Sequence, residues 1–131
     1  MSLGVKVVME SHTFMVGDTI YRQTSGGGIG LELTMEVSRL VMMEWDRLFM
    51  EKMASLEMPL PLAGRYVDDH NDAVQQEDGE DEETTAARVK EVADSLLPGI
   101  VMENDIPSRH DDKKIAVLDM KVAAGVWRHS A

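Results

Sequence analysis

The chain of 131 residues contains no cysteine, which excludes disulfide frameworks, thiolate catalysis and cysteine-based zinc sites. No apolar run approaches the roughly 18 residues that a membrane span needs. The first ten residues include Lys6 and Glu10 and lack the long apolar segment of a signal peptide. These absences predict an intracellular protein that is not secreted and has no membrane partner.

Basic residues are also scarce, since 13 Lys and Arg stand against 24 Asp and Glu, for a net charge of −11. A free-standing, sequence-independent nucleic-acid binder would carry a basic face, so the charge balance argues against this class. The hydrophobic fraction of 44% and the charged fraction of 28% are typical of a soluble globular domain. We therefore expect residues 1–131 to form a single domain with a modest core.

The clearest structural pattern is an apolar periodicity from about Leu31 to Leu56, which predicts a long amphipathic helix. Apolar residues recur there at spacings of three and four, with charged residues between them: Leu33, Val37, Leu40, Val41, Trp45, Leu48, Phe49 and Met53. Pro59 and Pro61 forbid continuation of the helix. The methionines, nine of the eleven lying within residues 1–58, are interpreted as core filler on the helix face.

The remaining elements are shorter. A second helix is predicted over Ala86–Leu97, ended by Pro98 and Gly99. A turn is expected at 16–19, followed by an extended piece at 20–21, and 5–9 fits either a strand or a helix end. Strand candidates at 100–102 and 115–122 are separated by a polar turn, which predicts a hairpin.

Six acidic residues lie between Glu77 and Glu83, and such a block repels itself. We therefore expect a solvated, mobile loop over 75–85 and a C-terminal tail over 123–131. The predicted fold class is α+β: a small antiparallel sheet of three or four strands packed on the long helix, plus the second helix.

The clearest candidate for a functional site is the tetrapeptide Tyr66-Val67-Asp68-Asp69. Adjacent carboxylates repel each other, and a hard cation such as Mg²⁺ would neutralise them. The same tetrapeptide also fits an ordinary surface turn. An EF-hand is excluded, because position six counted from Asp69 is Val74 where glycine is required. The four histidines lack ligand spacing and are interpreted as surface residues.

A second candidate is the glycine cluster Ser25–Gly30, which precedes the long helix. Glycines there would let backbone N–H groups approach a phosphate or a base. A Walker A loop and the dinucleotide fingerprint are both excluded by the residues that follow. A flexible turn remains the alternative.

The order of these motifs resembles the palm of a reverse transcriptase, the RNA-directed DNA polymerase of retroelements such as retrotransposons. That family places Gln-x-x-Gly-x-x-x-Gly before a long helix, matched here by Gln23, Gly26 and Gly30. It then places Tyr-x-Asp-Asp on a tight hairpin, matched by Tyr66–Asp69. Residues 98–103 and 115–122 resemble later strands of the palm sheet, so the likeness covers roughly residues 14–122.

The resemblance implies nucleotidyl transfer to a primer 3′-hydroxyl by a two-metal mechanism with Mg²⁺ or Mn²⁺. Asp68 would be the principal metal ligand from this motif, and Asp69 would assist; both would be catalytic. The implied substrate-binding residues are Gln23, Gly26, Gly28 and Gly30 beside the nucleotide and template, and Tyr66 below the primer terminus. The implied partners are an RNA or DNA template-primer and a deoxynucleoside triphosphate.

The chain departs from this family in ways that imply an incomplete palm. The family has another metal-binding Asp on an earlier strand, and Asp18, five residues before Gln23, is a poor substitute. The basic fingers and the thumb are also missing, which accounts for the acidic balance. We therefore expect no primer extension by the isolated chain, and self-association or pairing with missing polymerase segments. The alternative is a degenerate remnant, a non-enzymatic acidic α+β interaction module.

Overall fold

The structure is a computed structural model that describes residues 12–28 and 31–123. Its elements, in chain order, are β1 (Thr13–Val16), β2 (Thr19–Arg22), α1 (Glu32–Ser55), β3 (Leu62–Tyr66), β4 (Asp69–Ala73), α2 (Glu82–Ser95), β5 (Lys114–Val117) and β6 (Met120–Ala123). A 3₁₀ turn covers Pro107–Arg109. The predicted α+β class, with two helices and small antiparallel sheets, is confirmed.

The six strands form three separate two-stranded antiparallel sheets rather than one sheet of three or four strands. Each is a hairpin closed by a two-residue turn: Gly17-Asp18, Val67-Asp68 and Leu118-Asp119. The first residue of each turn has a positive φ, of 60°, 57° and 55° respectively, as tight hairpin turns require. The predicted turn at 16–19 is thereby confirmed.

The predicted pairing of 100–102 with 115–122 is wrong. Residues 100–106 have no regular secondary structure, and side chains of α2 bind the backbone of Met102 within this segment. The Asp94 carboxylate accepts the Met102 N–H at 2.8 Å, and the Lys90 ammonium donates to the Met102 carbonyl. Segment 115–122 in turn bends at Leu118 and pairs with itself as β5 and β6.

Some predictions fall outside the part of the chain that the structure describes. These are the strand or helix end at 5–9, the position of Gly30, and residues 124–131 of the C-terminal tail. Of that tail, Ala123 is the last residue of β6.

The chain divides into two compact units, Met1–Glu44 and Trp45–Ala131. In the second unit, Trp45 and Phe49 of α1 stack with ring centroids 4.8 Å apart, and each is 1% exposed. The Trp45 indole N–H donates to the Ala93 carbonyl of α2 at 3.2 Å. The buried apolar residues of the described chain all lie in this unit: Trp45, Phe49, Met53, Met58, Ala86, Val92 and Ala93. The core is therefore built where the C-terminal half of α1 packs on α2.

The N-terminal half of α1 and the first hairpin remain exposed. Leu40, predicted to be part of the apolar face, is 65% exposed, and Met35 and Met43 are exposed as well. Every residue of β1 and β2 is exposed. Periodicity therefore predicted the helix but not which half of it would be buried. In the described ranges, neither helix combines the length and apolar character that crossing a bilayer would demand.

The acidic loop predicted over 75–85 ends earlier, since α2 begins at Glu82. Asp81 caps this helix by accepting the Thr84 N–H at 2.7 Å. The Arg88 guanidinium donates to the carboxylates of Glu77 and Glu80 at 2.9 Å each. These contacts give Glu77, Glu80 and Asp81 partners, and the helix begins within the acidic block.

The start of α2 should be sensitive to acid. The Thr84 N–H lowers the pKa of Asp81 below its ordinary 3.8, and the Arg88 guanidinium lowers the pKa of Glu80 below 4.5. A carboxyl with a lower pKa when folded stabilises the fold fully above its unfolded pKa, and loses that contribution as pH falls through the folded value. We expect the urea midpoint, followed by far-UV circular dichroism, to be constant near neutral pH and to fall below about pH 4.5.

The matched variant for this measurement is Asp81→Asn, because asparagine also caps helices but does not titrate. Its urea midpoint should fall less steeply in acid than that of the wild type. Equal acid dependence in the two proteins would mean that the cap does not supply the effect.

Candidate functional site

The predicted Tyr66–Asp69 hairpin is present as the β3–β4 turn. Tyr66 pairs with Asp69, and Arg65 pairs with His70, so that Val67 and Asp68 alone form the turn. Side chains of successive strand residues point to opposite faces. Arg65 and His70 therefore share one face of the hairpin, and Tyr66 and Asp69 share the other.

The outer face and the turn present the predicted site residues to solvent. Tyr66 is 60% exposed, and Asp68 and Asp69 are exposed as well. Within residues 12–28 and 31–123, neither carboxylate forms an ion pair or a hydrogen bond with another side chain. Two adjacent carboxylates without a counter-charge are thus available to a cation at the tip of this hairpin.

The donor set of Asp68 and Asp69 fits Mg²⁺ in its chemistry. This ion keeps several of its waters and is commonly bound through one or two carboxylates. The described segments contain no group of three or more His, Asp or Glu side chains arranged to hold a metal ion. A cation at the turn would therefore be held by these two carboxylates, by water and by ligands that the described residues do not supply.

The inner face of the hairpin carries a polar cluster that sequence reasoning missed. The His70 side chain is 7% exposed and meets the rings of Trp45 and Phe49 edge-on, with centroids 5.1 and 5.3 Å away. Its Nδ1 lies 2.8 Å from Asp72 Oδ2, and its Nε2 lies 3.7 Å from Asp46 Oδ1. The interpretation of this histidine as a surface residue is wrong, because the hairpin register turns it toward the core.

Arg65 ties the same face to α1. Its Nε donates to both oxygens of Asp46 at 3.0 Å, and its Nη2 donates to Oδ2 at 2.9 Å. Its Nη1 donates to the Val67 carbonyl in the turn at 2.5 Å. In the sequence, Arg65 pairs with His70 across a two-residue turn, and Asp72 lies two residues further along the strand. This spacing places the three side chains on one face of a hairpin. The shared face could be recognised only once the pairing register of β3 and β4 was known.

The predicted glycine segment lies in the first unit. The Gln23 side-chain amide donates to the Ser25 carbonyl at 2.9 Å, and Gly26 has a φ of 73°, a conformation that favours glycine. The Gly28 N–H donates to the His12 ring nitrogen at 3.2 Å, and a Cβ on Gly28 would lie 3.0 Å from the end of the Leu31 side chain. This N–H is therefore already paired within the chain.

The predicted site residues thus form two groups. Tyr66, Asp68 and Asp69 share one hairpin of the second unit, whereas Gln23, Gly26 and Gly28 share one loop of the first. No protein-family model, curated protein or solved structure matches the chain. Functional inference therefore depends on the motifs and contacts of this chain alone.

Proposed function

We propose that this chain is a partial reverse transcriptase palm that contributes to nucleotidyl transfer onto a primer 3′-hydroxyl and does not extend a primer alone. The proposal is supported above all by the exposed carboxylates of Asp68 and Asp69, which have no partner in the described chain, at the tip of the β3–β4 hairpin. Tyr66 enters this turn, as the polymerase motif requires. The order of the glycine segment, the long helix and this hairpin adds to the support.

In this proposal, Asp68 is the principal ligand of the cation and Asp69 assists. Bound Mg²⁺ or Mn²⁺ would activate the primer hydroxyl and neutralise the triphosphate. Tyr66 lies on the exposed face of the hairpin, where it can support the primer terminus. Gln23 and Gly26 contribute to the binding of the nucleotide and template, and a net charge of −11 assigns the basic template-binding surface to other polymerase segments.

The test is a titration of the full chain with Mn²⁺, followed by paramagnetic broadening of backbone amide signals. We expect broadening to be strongest at residues 66–70. Asp68→Asn should raise the apparent Kd by about 10-fold or more, because it removes a ligand while preserving the shape of the side chain. The matched control is Asp119→Asn, which changes the same position of the β5–β6 turn and should leave the Kd unchanged.

Broadening that is confined to the acidic residues 77–83, or that responds equally to both Asn variants, would contradict the polymerase proposal. The second candidate, a non-enzymatic acidic α+β interaction module, would then be favoured. Its own support is the exposed apolar surface of the first hairpin, where Phe14, Ile20 and Tyr21 are 51%, 72% and 48% exposed. Such a surface is typical of a chain that contacts a partner.

A further inference from the structure

The Val67-Asp68 turn, which directly precedes Asp69, is under backbone strain. Val67 has a φ of 57°, in the left-handed region that β-branched residues rarely adopt. The corresponding position of the first hairpin is Gly17, for which a φ of 60° is free of this strain. Leu118 of the β5–β6 turn has the same conformation, with a φ of 55°, so the strain does not by itself distinguish the Val67 turn; a strained residue persists only where surrounding contacts hold it.

The contact that holds this turn comes from Arg65. One nitrogen of its guanidinium donates to the Val67 carbonyl, within the strained residue itself. The other two nitrogens bind the Asp46 carboxylate of α1. The Asp46 side chain is 32% exposed, and its Oδ1 also lies 3.7 Å from Nε2 of His70, whose side chain is 7% exposed. A continuous chain of contacts thus leads from the buried helix to the residue that precedes Asp68.

We propose that Asp46 and Arg65 are positioning residues that fix the Val67-Asp68 turn and thereby orient the carboxylates of Asp68 and Asp69 toward a divalent cation. This inference rests on the proposed metal site. Some residues do not touch a metal ion but hydrogen-bond to the groups that do. Removing such a residue commonly lowers the metal affinity by about 10-fold or more. Arginine suits this role because its planar fork binds a carboxylate with two nitrogens and leaves a third for the turn.

The charge of Arg65 and its positioning role predict opposite effects of its loss on Mn²⁺ affinity, and the test uses this difference. Arg65 carries a positive charge close to the cation site, so its loss should tighten Mn²⁺ binding if Coulomb forces alone operate. Loss of positioning should instead weaken binding. Arg65→Gln is therefore the decisive variant, since the two explanations give effects of opposite sign.

The experiment measures the Mn²⁺ Kd at the Asp68 and Asp69 amides in the full chain, for Arg65→Gln, Arg65→Lys and Asp46→Asn. We expect Arg65→Gln to raise the Kd by about 10-fold. Arg65→Lys should also raise it, since lysine keeps the charge but cannot bind Asp46 and the Val67 carbonyl together. The control is Glu51→Gln, which removes a carboxylate of the same helix whose partner is the exposed Arg47. It should leave the Kd within about 2-fold.

A second measurement uses the metal-free chain and follows the backbone conformation of the Val67-Asp68 turn. The HN–Hα coupling of Val67 and the hydrogen exchange of the Asp68 and Asp69 amides should change in Arg65→Gln and not in Glu51→Gln. If Arg65→Gln tightens Mn²⁺ binding or leaves it unchanged while the wild type binds at the turn, the positioning role is wrong and the proposed function stands. If the wild type shows no binding there, the proposed function fails, and the metal-free data decide whether Arg65 fixes the turn. If Arg65→Gln unfolds the chain, the Mn²⁺ titration and the metal-free measurement are both made on Arg65→Lys.

Discussion

Trp45→Ala should lower the free energy of unfolding by about 4 kcal/mol, the largest effect we expect from any single substitution. The indole is 1% exposed, stacks on Phe49 and donates a hydrogen bond to the Ala93 carbonyl. Its removal leaves a cavity between α1 and α2 and a carbonyl without its donor. The measurement is urea unfolding followed by far-UV circular dichroism.

The control for Trp45→Ala is Met50→Ala on the same helix. The Met50 side chain is 46% exposed, so its truncation should cost less than about 0.5 kcal/mol. If both variants unfold at the same urea concentration, the two helices do not share the core described above.

His70→Ala should cost about 3 kcal/mol. The imidazole fills the space beside the rings of Trp45 and Phe49 and binds the carboxylate of Asp72, whose side chain is 13% exposed. The other oxygen of this carboxylate, Oδ1, is buried and has no hydrogen-bond partner in the described part of the chain. Loss of His70 would therefore leave this largely buried carboxyl group without its hydrogen-bond partner. Asn71→Ala, on the opposite face of β4, should cost much less.

A double-mutant cycle separates the lost packing from the unpaired carboxylate. Asp72→Ala removes the carboxyl group that His70→Ala leaves without a partner, so the double variant should be destabilised by at least about 1 kcal/mol less than the sum of the two single variants. Strict additivity would show that His70 contributes through packing alone.

Local sequence signals predicted the helices better than they predicted how residues are buried. The predicted helix from Leu31 to Leu56 is observed as Glu32–Ser55, because prolines and apolar periodicity act within a few residues. The second helix begins at Glu82 rather than Ala86, since the capping side chain of Asp81 lies inside a block interpreted only as charge. The capping hydrogen bond of Asp81 is a local signal, and it outweighs the repulsion between neighbouring carboxylates, so that α2 begins within the acidic block.

The polar interior of the β3–β4 hairpin could not be predicted in the same way. Whether His70 faces solvent depends on the strand register and on the presence of α1 behind the hairpin, and both are tertiary facts. The β5–β6 turn was missed for a different reason. It places Leu118 at a φ of 55°, where sequence rules expect Gly or Asn, so no turn residue marked it. The positions of Asp68 and Asp69 at a tight turn were expected from the motif; their function stays a prediction.

The locality of the three hairpins also bears on the order in which the chain folds during synthesis. Each hairpin pairs strands only two residues apart in sequence, so it can close within microseconds of emerging from the ribosome. The hydrogen bond from Trp45 to Ala93, by contrast, spans 48 residues. The hairpin that presents Asp68 and Asp69 can therefore close before the helix that completes the core has been made, and it gains its support from the core only afterwards.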